Sequence, residues 1–390
     1  MRKLTADFIF TGQGEPLKNT VVEIDNGGKI LSVSSKNETG DSGLEYFPGA
    51  LCPGLINAHC HLELSYMRGK VPRGNGLAQF IIDLLSIRNA PMEEVRDAIE
   101  KAEAEMIRNG IVAVGDISND DHTIEQKSKH QIEYHTFVEA YGFKKENAAQ
   151  HFEEAKRVFH LLRKCNLRAS ITPHAPYSVP PELFDLIFSY DENSPAVFSI
   201  HNQETQAETD FFRDGSGDFN RVLEFFKLDH SVFTPTGKSS LASVLPFIHT
   251  NRKLLLVHNT KTTNEYIDAA QATHSNLWWC FCPKANLYIE NQLPDFASFK
   301  KLGDRLLLGT DSLASNDSLS ILDEMKTIRK HHPQIPTRAL IRFATANAAE
   351  FFEWNDLGEF SIGKTPGINY LSNISAEGEI TPDTEVQKII

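Results

Sequence analysis

The chain has 390 residues, with 39 Lys and Arg against 52 Asp and Glu, for a formal net charge of −13. That balance argues against nucleic acid or an anionic membrane surface as partner, since both call for a basic face. Hydrophobic residues make up 41% and charged residues 23% of a sequence with no run of 18 apolar residues, so an ordinary globular protein without a membrane span is expected.

The opening stretch MRKLTADFIFTG has basic residues but no apolar run or cleavage site of a leader, so no signal peptide is expected. Phe8–Gly12, Thr20–Ile24 and Lys29–Val33 are short β-like runs between Gly, Asn and Asp turn residues. They predict a small β unit over residues 1–50, joined by residues 356–390, where Gly363–Leu371 reads as a turn and a strand. No structure is assigned to the polar tail beyond it.

Between these ends, apolar runs alternate with helical patterns. Candidate strands cover 51–57, 111–116, 132–138, 168–172, 196–200, 253–257, 276–281 and 305–310. Met92–Arg108 repeats apolar residues at helical spacing and stops at Asn109-Gly110. Eight strands alternating with helices predict an α/β protein, a (β/α)8 TIM barrel over 51–355 with a small β-sandwich domain built from both termini. The connection 204–250 is long for a compact domain and reads as a lid or a pocket wall.

Five cysteines (52, 60, 165, 280, 282) form an odd, scattered set. They make no disulfide framework and fit a reducing, cytoplasmic compartment. Cys280-x-Cys282 reads as half of a metal site or, better, as two small buried thiols in the apolar run Trp278–Pro283, which suits a core strand.

Barrel enzymes carry their chemistry at the C-terminal ends of the strands. Here the first strand ends in His59-Cys60-His61, the fourth in His174, the fifth in His201-Asn-Gln-Glu204, the sixth in His258 and the eighth in Asp311. Residues two apart on a strand share a face, so His59 and His61 can meet one ion. Three imidazoles and a carboxylate suit a borderline divalent ion with room for a water. Such an ion lowers the pKa of that water from 15.7 towards about 7. A carboxylic acid must then carry protons, and Glu204 leaves the same strand end as His201.

Pro53–His61, His201–Glu204, Val257-His258 and Gly309–Ser312 together resemble the amidohydrolase superfamily. Within it they are similar to the cytosine-deaminase/chlorohydrolase-type branch of mononuclear metal deaminases, which includes guanine and aminodeoxyfutalosine deaminases. Phe281–Leu287 is similar to a segment that follows strand seven in that branch, and the resemblance covers nearly the whole chain. It implies one divalent ion, zinc with iron as the alternative, held by His59, His61, His201 and Asp311. It further implies that Asp311 accepts a proton from the attacking water and that Glu204 protonates a ring nitrogen and then the departing amine. His258 would hydrogen-bond the attacking hydroxide, and His174 would touch substrate. Two-metal members use a strand-four lysine, and Arg168–Pro173 has none.

The expected activity is therefore hydrolytic deamination of an amino-substituted heterocycle (purine, pyrimidine, pterin or nucleoside-like) that releases ammonia. Hydrolysis of a cyclic amide or loss of another leaving group such as chloride is the alternative. A metal-binding barrel without catalysis would have no use for Glu204 and Asp311 together. The partner is a small molecule, and the resemblance implies a homodimer or larger assembly.

Some residues read two ways. His174 is a substrate contact or part of a rigid loop between Pro173 and Pro176. Glu63 orients an imidazole or is a solvated acid. Arg68, Arg73 and Arg88 grip an anionic substrate or are solvated helix residues. Phe80, Tyr177, Trp279 and Phe281 stack a planar ring or belong to the core. Asp83 lies where some nucleoside-type relatives hold ribose. The remaining histidines read as surface or structural.

Overall fold

In the computed structural model, residues 1–39, 42–193, 197–249 and 252–390 are described. Residues 40–41, Ala196 and Thr250, which fall within segments discussed above, lie outside the described residues. The strands, in chain order, are β1 (Arg2–Ile9), β2 (Thr20–Ile24), β3 (Ile30–Ser35), β4 (Leu44–Pro53), β5 (Leu55–Cys60), β6 (Ile111–Ser118) and β7 (Glu133–Ala140). They continue as β8 (Arg168–Pro173), β9 (Val197–Asn202), β10 (Lys253–His258), β11 (Leu277–Phe281), β12 (Leu306–Leu308), β13 (Ile368–Ser372) and β14 (Glu385–Lys388).

Two four-stranded parallel sheets, β5-β6-β7-β8 and β12-β11-β10-β9, curve into one barrel. Hydrogen bonds outside the regular ladders close its two seams. On one side the His201 N–H donates to the His174 carbonyl at 3.0 Å. On the other the Thr310 and Asp311 N–H groups both donate to the His59 carbonyl at 3.0 Å. Across that seam Asn57 Nδ2 donates to Thr310 Oγ1 at 2.7 Å, and Asn57 Oδ1 accepts from the Thr310 N–H at 3.1 Å. Gly309 has a reason to be glycine, because a Cβ there would lie 2.8 Å from the His59 Cβ. Both seams thus run through residues of the strand ends where metal ligands are expected.

The helices cover the barrel as their patterns require. In Met92–Arg108 the buried residues Val95, Ile99, Ala102 and Met106 recur three and four apart, and Glu93 and Glu94 stand in the first turn. The helix stops before Gly110, whose φ of +74° suits glycine.

A six-stranded sheet, ordered β14-β13-β4-β1-β2-β3, gathers both chain ends. One expectation is corrected by the joint between this sheet and the barrel. The run 51–57 is not one strand: 51–53 belongs to β4 of the terminal sheet, and the barrel strand starts at Leu55. Gly54 makes the joint, where a Cβ would lie 2.3 Å from Val112 Cγ1 and 2.7 Å from the Pro366 carbonyl. The polar tail also has structure, since β14 pairs antiparallel with β13.

The connection after β9 holds the helices Gln206–Asp214, Phe219–Phe225 and Ser240–Val244. Phe211, Phe219 and Phe233 pack there with ring centroids 4.1–5.7 Å apart. Among the described residues, no helix is long and apolar enough to cross a membrane.

Candidate active site

The strand ends bring the expected residues together. His59, His61, His201 and Asp311 are all buried, and one ligand atom from each lies within 4.8 Å of the others. The Nε2 atoms of His59 and His61 are 3.2 Å apart. Asp311 Oδ1 is 3.6 Å from the first and 3.2 Å from the second. The His201 Nδ1–H donates to the His174 carbonyl at 2.8 Å, so its Nε2 is the ring atom left to bind an ion. His258 Nδ1 bonds Asn286 Oδ1 at 2.9 Å, and its Nε2 lies 3.8 Å from Glu204 Oε2.

The electrostatics ask for positive charge at the centre. Burial holds His59 down to about 4. Burial also pulls on His61, but the bond to Asp311 and its charge outweigh it and lift His61 to about 9. Burial works against the Asp311 anion too, yet the bonds from His59 and His61 keep its pKa well below the usual carboxylate value. Converging imidazole nitrogens beside an ionised carboxylate fit a divalent ion of zinc type, which would take the place of the proton on His61.

Several of these residues hold unusual backbone. His258, Asn259, Asp311 and Gln203 have φ of +75°, +59°, +58° and +44°. Such conformations cost about 1–3 kcal/mol each and persist where the surroundings fix them. Asn259 is fixed by bonds from its Nδ2 to the Leu256 and Cys280 carbonyls at 2.8 and 3.0 Å. Asp311 is fixed by the Ser315 hydroxyl, which donates to Oδ2 at 2.6 Å.

Glu204 is buried beside the cluster, and burial raises its carboxyl well above the usual value, with Asp311 and Glu208 adding to the effect. His174 lines the same cavity, with Nδ1 2.6 Å from Ser178 Oγ. Burial lowers it to about 3, and His61 and His59 push the same way. The cavity measures about 280 Å³. Its apolar wall includes Leu64, Leu77, Phe80, Tyr177, Val222 and Phe226, so the segment after β9 forms part of it.

The open readings separate here. Phe80 and Tyr177 face the cavity, whereas Trp279 and Phe281 are core residues. Asp83 is not among the lining residues and accepts a bond from Gln79 at 2.7 Å. Glu63 is not a solvated acid: it is 2% exposed, accepts from the Asn119 N–H at 2.9 Å and Nδ2 at 3.1 Å, and acts on the His61 imidazole through its charge. Cys280 and Cys282 are buried thiols. His135 and His274 are buried structural histidines, as the sequence reading allows.

Glu139 and Asn119 are among the polar lining residues that the sequence does not single out. Glu139, near the end of β7, lies 3.5 Å from His201 Nδ1. Asn119 follows β6 directly. A carboxylate closing strand three, in register with the histidines of the other strands, was the available signal for Glu139.

Proteins of known activity share this architecture. The chain is 26% identical over 303 residues to an adenosine deaminase of Helicobacter pylori, covering 76% of this chain and 72% of that protein. It is 24% identical over 364 residues to the aminodeoxyfutalosine deaminase of Deinococcus radiodurans, covering 88% and 84%. The fold matches H. pylori aminofutalosine deaminase in complex with methylthio-coformycin, with TM-score 0.81 and 22% identity over 98% of this chain and 94% of that one. It also matches an adenosine deaminase from Xanthomonas campestris with bound zinc, with TM-score 0.73 and 21% identity over 96% and 85%. Residues 50–389 match the Amidohydrolase family, which takes in the barrel, every strand-end residue described above and the C-terminal strands, and the chain belongs to that family.

Proposed function

We propose that the protein is a metal-dependent hydrolytic deaminase acting on an amino-substituted heterocycle of nucleoside type and releasing ammonia. The observation that carries the reading is Glu204. It is a buried carboxyl disposed to hold a proton, in the same cavity as a four-residue cluster suited to a divalent ion. Simple metal storage needs no such acid, whereas replacing a ring amine by oxygen needs one. The deaminase relatives, and the zinc bound in one neighbour of the same fold, support the reading.

His59, His61, His201 and Asp311 would hold the ion. When bound there, such an ion would make a water available that ionises near neutral pH. Asp311, kept ionised by its histidine neighbours, would be the proton acceptor beside it. His258, oriented through Nδ1 by Asn286, presents Nε2 as a hydrogen-bonding partner to the attacking oxygen. Glu204 delivers its proton to the ring nitrogen and then to the leaving amine. His174 contacts the substrate from the cavity wall. Enclosure by apolar side chains keeps bulk water from the exchange.

The test is ammonia release by the zinc-loaded protein across aminopurines, aminopyrimidines, pterins and adenosine-type nucleosides, with metal measured on the same sample. One metal per chain and ammonia from a nucleoside are expected. Glu204→Gln should keep the metal and lower turnover by at least about 100-fold, the scale of general acid–base catalysis. Full activity in that variant would rule out the proton-carrying role.

A further inference from the structure

The arginines that the sequence leaves open are accounted for: Arg68 pairs with Glu105 and Arg73 with Asp317 at the surface, and Arg88 lines the cavity. A different charged side chain stands behind the site. Glu324, on helix Ile321–His331, is fully buried and is not among the cavity-lining residues. A carboxyl buried in that way needs hydrogen-bond donors, and its donors come from two separate strand ends.

The first is the end of β12. Glu324 Oε1 accepts from Asn316 Nδ2 at 2.8 Å. The same amide nitrogen donates to the Thr310 carbonyl, also at 2.8 Å. That carbonyl belongs to the peptide leading into Asp311, whose φ is +58°. Asn316 Oδ1 accepts from the N–H groups of Asp317 and Ser318 at 2.7 and 3.3 Å, which fixes the way the amide points.

The second is the end of β11. Glu324 Oε2 accepts from the Lys284 N–H at 2.8 Å. Lys284 lies in the first turn of helix Pro283–Glu290, where N–H groups have no partner within the helix. Two residues on, Asn286 holds His258 Nδ1 at 2.9 Å. One carboxylate thus joins the Asp311 peptide to the helix that aims His258. A neutral amide in its place has a single acceptor oxygen and would set N–H against N–H at the other end.

Asp311 and His258 address the same attacking oxygen, so their mutual spacing must be held. We propose that Glu324 is a positioning residue that sets the spacing of Asp311 and His258 from outside the cavity. The assignment rests on the deaminase reading above and adds to it a residue that touches neither ion nor substrate.

The test uses Glu324→Gln, Asn316→Ala and the double variant of the full chain. Zinc alone is the first probe, its affinity read by competition with a chelator and with no substrate present. The second readout is kcat and KM at full zinc loading, with the nucleoside of the panel above that releases ammonia fastest. Zinc affinity should fall by about 10-fold in each single variant, and kcat of Glu324→Gln by about 10–100-fold, the scale for residues that orient metal ligands. KM should stay within about twofold, because Glu324 lies outside the cavity. The zinc losses should not add in the double variant, since both changes cut one arm. A Glu324→Gln protein that loses melting temperature but keeps zinc affinity, or keeps kcat at full loading, overturns the proposal. So do additive zinc losses. If Glu324→Gln does not fold, wild-type zinc affinity in Asn316→Ala overturns it alone. Ammonia from no nucleoside would sink the deaminase reading instead, while the zinc measurements would still decide this one.

Discussion

Glu204 owes its position to Glu208. Helix Gln206–Asp214 begins with Thr205 as N-cap, whose hydroxyl accepts from the Glu208 N–H at 3.2 Å. The Thr-x-x-Glu spacing is that of a capping box. Here the Glu208 carboxylate reaches back to the N–H groups of Gln203 at 3.0 Å and Glu204 at 2.9 Å. It thereby holds the left-handed turn at Gln203 and aims the next residue into the cavity. Glu208→Ala leaves two buried N–H groups unpaired, at a cost of about 1–3 kcal/mol each. It should lower kcat by about 10–100-fold while metal content stays at the wild-type level, because misplacing a reacting group by about 1 Å costs that much. Glu208→Gln keeps an acceptor and should fall between the two. A variant that loses only melting temperature, with kcat intact, would reduce Glu208 to a helix cap.

At the scale of elements, the end of β6 is tied to the histidine strand by a buried ion pair. Lys127 Nζ lies 2.6 Å from Asp116 Oδ2 with both side chains fully buried, and it donates to Thr136 Oγ1 at 2.9 Å. Asp116 Oδ1 in turn accepts from the N–H of Leu62, the residue after His61, at 2.8 Å. Removing one partner of a buried pair strands the other charge, at about 3–5 kcal/mol. Lys127→Met should lose that much in denaturant unfolding, and Asp116→Asn combined with it should cost clearly less than the two single changes added together. Strict additivity would mean that the charges do not interact. This network also marks where reading the chain in one dimension stops. The strand ends at His59, His174, His201, His258 and Asp311 are legible because a polar residue follows an apolar run. The Met92–Arg108 helix is legible from its period. Lys127 is not, because it sits in a polar stretch that resembles surface. Glu139 carries the same signal as the other strand ends, an acid directly after the run 132–138, and Gly54 hides a strand break inside continuous apolar sequence. Nor does spacing alone separate Arg88 from Arg68 and Arg73, since that depends on which wall each one meets.

Across the whole molecule, the two chain ends and the barrel are one packed unit, and their weakness should be acid. β4 lies between β1 and β13, so the N- and C-terminal strands share one sheet. Asn369 of β13 donates to the Gly110 carbonyl at 2.8 Å, just ahead of barrel strand β6. Inside the barrel, His135 on β7 is held between Ser170 and the rings of Phe137 and Phe352. Ser170 Oγ donates to the Val197 carbonyl at 2.7 Å, so it accepts from His135 Nε2 at 2.9 Å. That leaves Nδ1 as the bare nitrogen, buried and without a partner. Protonation must place a charge and an unpaired N–H there. Burial, with Arg168 and Lys127 adding repulsion, lowers the His135 pKa from 6.5 to about 3. The unfolded chain therefore binds a proton between these values that the folded chain refuses. The contribution to stability is intact above pH 6.5 and is lost progressively as pH falls towards 3, reaching a few kcal/mol at the acid end. His135→Gln removes the titration while leaving a donor for Ser170. At pH 8 it should be less stable than the wild type by about 1–2 kcal/mol, through poorer packing against the two phenylalanines. Urea unfolding at a series of pH values should show that gap constant above pH 7, narrowing below 6.5 and closing by about pH 5, since each pH unit in this window moves the wild type alone by up to about 1.4 kcal/mol. A gap that stays constant from pH 8 to pH 5 would mean that His135 takes up its proton as easily in the fold as outside it.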